Sequence, residues 1–456
     1  MHNLIKNAVF TINTCKNACI GIKYLIEIIF GGCSMLLKEM NKEELVALKE
    51  ELTAKYEEIK SQGLSLDMSR GKPSADQLDL SMEMLNIMST VEDCKAENGF
   101  DCRNYGVLDG MPECKKLFAD ILEVDTKNIV IGGTSSLNLM YDYLNQCMFL
   151  GVAGCEPWSK QGKVKFICNV PGYDRHFSIT EFFGIEMISV EMTNEGPDVA
   201  KIKELVKDPM VKGMFCVPKY SNPNGVTYSD KVVKELASIQ PAAKDFRVIW
   251  DNAYIIHELT DTPDVLMNIF EACKEFGTED YFVEFTSTSK ITFPGAGVSA
   301  IAASDNNVAE IKKRLNFQTI SYDKLNQLRH VKYFKNADGV KAQMDKHCEI
   351  MAPKFNLVLE KLESEIAPLG IGEWVKVKGG YFISYDTVGS SAKRIGELCK
   401  EAGLVLTTVG ATYPYGIDPE DKNIRIAPSF PPVADLEKAM DVFCLCAKLA
   451  AVEALI

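Results

Sequence analysis

The sequence predicts an α/β fold: a three-layer α/β/α large domain built on a mainly parallel sheet, plus a smaller α+β domain. Three observations carry this. From about residue 105 to residue 304, short apolar runs of strand length alternate with stretches of helical periodicity, the pattern of a parallel sheet covered by helices on both faces. The 456 residues are 46% hydrophobic, enough for a substantial core. Beyond Ser304 the text changes to long charged helices as far as Ile366, and then to a few short strands. The division that follows is a large domain over 105–345, a small domain over 35–104 and 346–456, and an N-terminal extension over 1–34.

The extension looks foreign to the rest. It carries Lys6, Lys16 and Lys23 against Glu27, and its apolar stretches are interrupted well short of the roughly 20 residues a spanning helix needs. Glu27 also breaks any secretory apolar core. Met35 is therefore read as the biological start, a reading that a native N-terminus ahead of Met35 in mass spectrometry would overturn.

Taken in order, Asn41 to Ser61 predicts a charged amphipathic helix with Leu45, Leu48, Leu52 and Tyr56 on one stripe. An extended loop, Leu66 to Pro73, follows, then a helix pattern around Met82 to Met88, then a loop to Arg103-Asn104-Tyr105-Gly106. Strands are expected at Ile129 to Ile131, Val164 to Val170, Glu186 to Val190, Gly213 to Val217, Phe246 to Trp250, Tyr281 to Phe285 and Val298 to Ala302, with helices at Met111 to Leu122 and Leu137 to Phe149. In the small domain the short strands are Val375 to Val377, Tyr381 to Tyr385, Leu404 to Thr407 and Ile424 to Ile426.

Composition excludes several function classes. A net charge of -13 disfavours nucleic acid or an anionic membrane as the main partner, since either calls for clustered Lys and Arg. The 15 cysteines follow no disulfide-framework spacing and read as reduced core thiols of a cytoplasmic protein. The five histidines lie far apart and make no metal-binding motif, so no metal is expected.

The chemistry gathers at predicted strand ends, where open α/β sheets bind ligands. Lys290 lies just past the strand Tyr281 to Phe285, flanked by Ser287, Thr288 and Ser289 and followed by Pro294-Gly295-Ala296-Gly297. A recessed, partly desolvated lysine makes a nucleophilic amine; a solvated lysine in a Ser/Thr loop is the plainer account. Gly132-Gly133-Thr134-Ser135-Ser136 joins a strand to a helix, and free amides and hydroxyls at a helix start suit a phosphate, or simply cap the helix. Tyr173 closes another strand and offers a ring on which a flat cofactor can stack. Asn222, in Ser221-Asn222-Pro223-Asn224-Gly225, offers an amide in what is also an ordinary turn sequence. Asp251 ends an apolar strand ahead of Tyr254, where a carboxylate can hold a pyridine nitrogen protonated or cap the next helix. Arg425 is a planar fork suited to a carboxylate within an apolar strand, and a structural ion pair would also explain it.

In this order the motifs resemble those of the fold-type I pyridoxal phosphate aminotransferases, from about Asp67 to Pro432. SRGKPSADQLDLS, VPKYSNPNGVTYS, STSKITFPGAGVS and IRIAPSFPP are most similar to a bacterial subgroup of aspartate aminotransferases. The resemblance implies pyridoxal 5'-phosphate as cofactor and Lys290 as its Schiff-base lysine. It implies Asp251 and Tyr254 at the pyridine nitrogen and ring oxygen, Asn222 beside them, Tyr173 stacking, and Thr134, Ser135 and Ser136 around the phosphate, with Ser287 a further candidate there. It further implies Arg425 on the substrate α-carboxylate, Gly71 in the substrate loop, and Tyr105 reaching the phosphate of a neighbouring subunit in a homodimer. The implied reaction moves an amino group from an amino acid, aspartate by the subgroup, to a 2-oxo acid such as 2-oxoglutarate. One departure stands out: the family's phosphate-binding arginine shortly after the lysine is missing, with Gly295-Ala296-Gly297 in that region and no arginine before Arg314.

Two other functions share the scaffold, a pyridoxal phosphate β-elimination lyase and a non-catalytic regulatory amino-acid-binding domain. The second usually carries a DNA-reading module, for which too little sequence precedes the substrate loop. Arg70, Lys72, Arg103 and Arg175 are unranked candidates for a substrate's distal carboxylate.

Overall fold

A computed structural model describes residues 36–456; the extension 1–34 and the reading of Met35 lie outside the described residues. The first long helix, Lys42–Ser61, starts at Asn41, whose side chain accepts from the Glu44 amide while the Glu44 carboxylate accepts from the Asn41 amide. It buries Leu45, Leu52 and Tyr56 in one apolar cluster with the C-terminal helix Val433–Leu455, part of the helix Ala337–Glu365 and the strands after residue 380.

The loop expected over Leu66 to Pro73 begins as a strand, β1 (Leu66–Met68). The helix expected around Met82 to Met88 is instead a short α-helix, Ala75–Asp79, and a 3-10 turn, Met82–Asn86. The large sheet then takes shape: β2 (Ile129–Ile131), β3 (Lys165–Val170), β4 (Glu186–Thr193), β5 (Gly196–Pro197), β6 (Val211–Cys216), β7 (Arg247–Asp251), β8 (Phe282–Ser287) and β9 (Ser299–Ala303). Their order across the sheet is β2-β9-β8-β7-β6-β3-β4-β5. From β8 to β4 every pairing is parallel; β9 runs against both its neighbours, and β5 against β4. β2, β3, β6, β7 and β8 consequently all end on one side of the sheet.

Side chains alternate across this sheet as the pleat requires. Met214, Val248, Trp250 and Phe282 pack into one apolar layer and Phe166, Phe215, Ile249 and Val283 into the other, so helices cover both faces in a three-layer α/β/α sandwich.

After the helices Asp305–Gln318, Lys324–Phe334 and Ala337–Glu365 the chain makes β10 (Gly372–Trp374), β11 (Ile383–Thr387), β12 (Leu404–Leu406) and β13 (Asn423–Ile426). β10, β11 and β13 form an antiparallel sheet, and β12 pairs in parallel with β1. The strand expected at Val375 to Val377 is displaced to Gly372–Trp374. Val377 packs instead against the turn at Gly225, where a β-carbon would lie 2.2 Å from its Cγ1.

Candidate active site

Beyond the carboxyl ends of β6, β7 and β8 lies a cavity of about 230 Å³. Its walls include Ser135, Ser136, Tyr173, Asn222, Asp251, Tyr254, Ser287, Ser289 and Lys290. Seven of the sequence-predicted positions thus meet Lys290, drawn from segments up to 155 positions apart along the chain.

The lysine is held by the loop that follows β8. Thr288 anchors this loop, its amide donating to the Val298 carbonyl at 2.8 Å and its hydroxyl accepting from the Val298 amide at 2.9 Å. Behind it His330 bonds Thr292 at 2.9 Å, and Asn326 donates to the carbonyls of Ala296 and Gly297 at 3.0 and 2.8 Å. The Lys290 amine sits 4.8 Å from the centre of the Tyr254 ring and 5.4 Å from that of Tyr381. Burial pushes this amine below the usual lysine range; Asp251 opposes the shift and the positive charge of Arg425 adds to it. A lysine so placed is a better nucleophile and base near neutral pH than one in water.

Asp251 is the last residue of β7 and is 3% exposed. No helix follows it, so it caps none. His176, on the helix Asp174–Phe182, donates from Nε2 to its Oδ2 at 2.9 Å and stacks on Phe215 at 4.1 Å between ring centres. The other oxygen, Oδ1, is buried without a partner. A buried carboxylate oxygen left unmatched costs free energy unless a donor arrives, so the cavity is built for a ligand bearing an N–H at that point. The Tyr254 hydroxyl is held well above its ordinary pKa, chiefly by burial with Tyr173 and Asp251 adding, and stays a hydrogen-bond donor. Tyr173 is pushed up to about 12 by burial.

On the opposite side of the cavity the helix Ser136–Phe149 begins with Ser135 as its cap. Its free amides and the hydroxyls of Ser135, Ser136, Ser287 and Ser289 make an anion cradle, and no arginine is among the described residues that line the cavity. Thr134 is exposed and joins through its carbonyl, which accepts from the Ser289 hydroxyl at 3.2 Å. A β-carbon at Gly297 would stand 2.8 Å from that same carbonyl, so a glycine is what lets the two loops meet. Arg314 lies elsewhere, paired with Glu310 at 3.0 Å and bonded to the Gly151 carbonyl, and does not replace the missing arginine.

Arg425 is on β13, 6% exposed, and reaches the cavity edge. Its Nη1 donates to Asp174 Oδ1 at 2.7 Å and to Asn222 Oδ1 at 3.3 Å, and its Nε to the Thr407 hydroxyl at 3.3 Å. The guanidinium lies 4.7 Å from the centre of the Phe382 ring. Gly71 touches the same ring, and a β-carbon there would come within 2.4 Å of Phe382 Cζ. The Thr407 hydroxyl in turn donates to the Ser69 carbonyl at 2.7 Å, tying the loop around Gly71 to the arginine. Tyr105 is 75% exposed and does not line this cavity. Among the distal-carboxylate candidates, Arg103 is paired with Asp101 at 2.6 Å and the Lys72 amine lies 3.7 Å from the Phe430 ring centre.

Sequence reasoning missed His176, Ser289, Phe382, Thr407 and the contact of Asp174 with Arg425. Only Ser289 and His176 had a signal, the one beside the lysine and the other three residues after Tyr173 at a helix start. Among the described residues no group of three or more His, Cys, Asp or Glu side chains is arranged for a metal, and no helix is long and apolar enough to cross a membrane.

Comparison with known proteins gives a consistent picture. Residues 40–456 match the family model described as aspartate amino-transferase. An aspartate aminotransferase of Corynebacterium glutamicum is 47% identical over 421 residues, covering 92% of this chain and 97% of the relative. The crystal structure of an aspartate transaminase from Corynebacterium glutamicum superposes with a TM-score of 0.90 at 47% identity, over 93% of this chain and 100% of that one. A putative aminotransferase from Corynebacterium diphtheriae gives a TM-score of 0.87 at 48% identity, over 89% and 100% of the two chains.

Proposed function

The chain belongs to the aspartate amino-transferase family and is an aminotransferase, and from that premise we propose that it uses pyridoxal 5'-phosphate to move the amino group of aspartate to 2-oxoglutarate. The observation that carries the cofactor reading is the partnerless Oδ1 of Asp251 in one cavity with Lys290 and Tyr254. Aspartate as donor is supported by the name of the 47% identical Corynebacterium glutamicum relative.

The residues fit the cofactor. Asp251 Oδ1 would take the pyridine N–H, Tyr254 and Asn222 the ring oxygen, and Tyr173 a ring face. Ser135, Ser136, Ser287, Ser289 and the helix amides would take the phosphate. Bound there, the cofactor supplies an electron sink for the carbanion at the substrate's α-carbon. Lys290 removes the α-proton onto Nζ and delivers it again, a task suited to an amine whose basicity burial has lowered. Arg425 binds the α-carboxylate and so fixes which bond at the α-carbon faces the lysine.

We further read the protein as a cytoplasmic homodimer in which Tyr105 reaches the partner's phosphate site; its 75% exposure supports this. The division into 105–345 and the joined segments 35–104 and 346–456 is supported by the apolar cluster that unites the first long helix with the C-terminal one.

One experiment tests the reaction. The cofactor-loaded protein should show a visible absorbance band that shifts on adding aspartate and returns on adding 2-oxoglutarate, with oxaloacetate and glutamate formed in equal amounts. Pyruvate and ammonia from a β-substituted amino acid, without that return, would mean elimination instead.

A further inference from the structure

The arginine proposed to hold the substrate's carboxylate already holds one. Asp174 Oδ1 stands 2.7 Å from Arg425 Nη1, with side-chain exposures of 30% and 6% for the two residues. Asp174 is the first residue of the helix Asp174–Phe182, directly after Tyr173 in the cavity wall, and the helix start favours its negative charge. Nothing else that Arg425 bonds is charged: Asn222 and Thr407 offer neutral oxygens. A guanidinium with so little exposure needs a counter-charge, and Asp174 supplies it.

A substrate carboxylate cannot simply be added to this arrangement. Bidentate binding needs two parallel N–H groups on one edge of the fork: the end-on edge includes Nη1, which Asp174 and Asn222 hold, and the side-on edge includes Nε, which Thr407 holds. Two carboxylates on one guanidinium also repel each other. Asp174 is the more exposed of the pair and has an open path to water, whereas Arg425 is fixed by Phe382, Thr407 and Asn222.

We propose that Asp174 is a displaceable counter-ion: it occupies Arg425 while the site is open and is released to solvent when the substrate's α-carboxylate takes its place. This rests on the reading of Arg425 as the carboxylate-binding residue. As a positioning residue Asp174 has two effects. It keeps the guanidinium aimed and compensated between turnovers, and it sets a threshold that a weak anion does not cross, so that stray monocarboxylates are kept off the fork. The threshold raises KM for amino acid and oxo acid alike.

The test uses the cofactor-loaded enzyme, the variants Asp174→Asn and Asp174→Glu, and succinate and acetate as carboxylate probes. Asparagine keeps the size and the helix-start position but gives up the charge. Titration calorimetry should show succinate binding to Asp174→Asn roughly three- to tenfold tighter than to wild type, with acetate binding becoming measurable. KM for aspartate and 2-oxoglutarate should fall by a similar factor with a smaller change in kcat, and Asp174→Glu should restore the wild-type values. Equal or weaker succinate binding in Asp174→Asn overturns the counter-ion role. Because succinate binding needs no turnover, the result stands apart from the transaminase assay, whose failure would overturn the functional reading instead.

Discussion

Asp251 and His176 share one hydrogen bond, Nε2 to Oδ2 at 2.9 Å, and so divide the carboxylate into an oxygen that is satisfied and an oxygen that is not. The histidine fixes the acid's orientation while leaving its reactive side open. Replacing Asp251 by Asn keeps the shape but removes the charge, and should lower kcat by at least about a hundredfold. His176→Gln should cost less, on the order of tenfold, since it disturbs only the orientation. Steady-state kinetics on both variants, with the visible spectrum as a check on cofactor retention, decides the order; a His176 variant as inactive as the Asp251 one would contradict it.

Lys290→Ala should abolish transamination, by roughly a thousandfold or more, while leaving the circular dichroism spectrum unchanged. Its removal also relieves the burial of an amine, so the melting temperature should not fall. A variant that turns over at a normal rate would refute the assignment.

Gly71→Ala drives a methyl group into the Phe382 ring against which Arg425 rests. Overpacking of this kind costs about 1–3 kcal/mol. Because the guanidinium rests on that ring, KM for both substrates should rise more than kcat falls. A purely thermal effect with unchanged KM would show that the glycine serves the loop and not the arginine.

Ser289→Ala removes a hydroxyl from the anion cradle and its bond to the Thr134 carbonyl. With no arginine to share the load, cofactor affinity should drop about three- to tenfold. Equilibrium dialysis of the cofactor measures this directly, and an unchanged dissociation constant would exclude Ser289 from the phosphate site.

His330 braces the lysine loop through Thr292 and Thr288, and burial pushes its imidazole down to about 4. Unfolded, it would titrate near 6.5. Between those values the unfolded chain binds more protons, so this stability is fully present above about pH 6.5 and is lost as pH falls toward 4, up to about 3 kcal/mol in all. The melting temperature of the wild type should therefore fall more steeply over that window than that of His330→Gln; parallel curves would show that the histidine does not contribute.

The sheet was readable in the sequence because buried parallel strands are short, apolar and bounded by turn residues, and all seven expected strands of the large sheet lie within a few positions of those observed. Lys290, Asp251, Tyr254 and Asn222 were readable because each follows such a strand. Val375 to Val377 misled because an alternating apolar pair looks the same whether it joins a ladder or packs on a neighbouring turn. Asp174 and Phe382 were silent because their role comes from Arg425, 251 and 43 positions away respectively. No local pattern encodes a contact across such a distance.

The pairing of β1 with β12 has a consequence for how the protein comes to be made. Ser69 and Thr407 meet across 338 positions of sequence. During synthesis the segment that carries Gly71 leaves the ribosome long before its neighbour strand has been translated, and long-range pairings of this kind form late. A truncated chain ending before Leu404 would have the strands that frame the Lys290 cavity but neither β12 nor Arg425, so on the proposed reading the carboxylate site is completed only as the last stretch of polypeptide arrives.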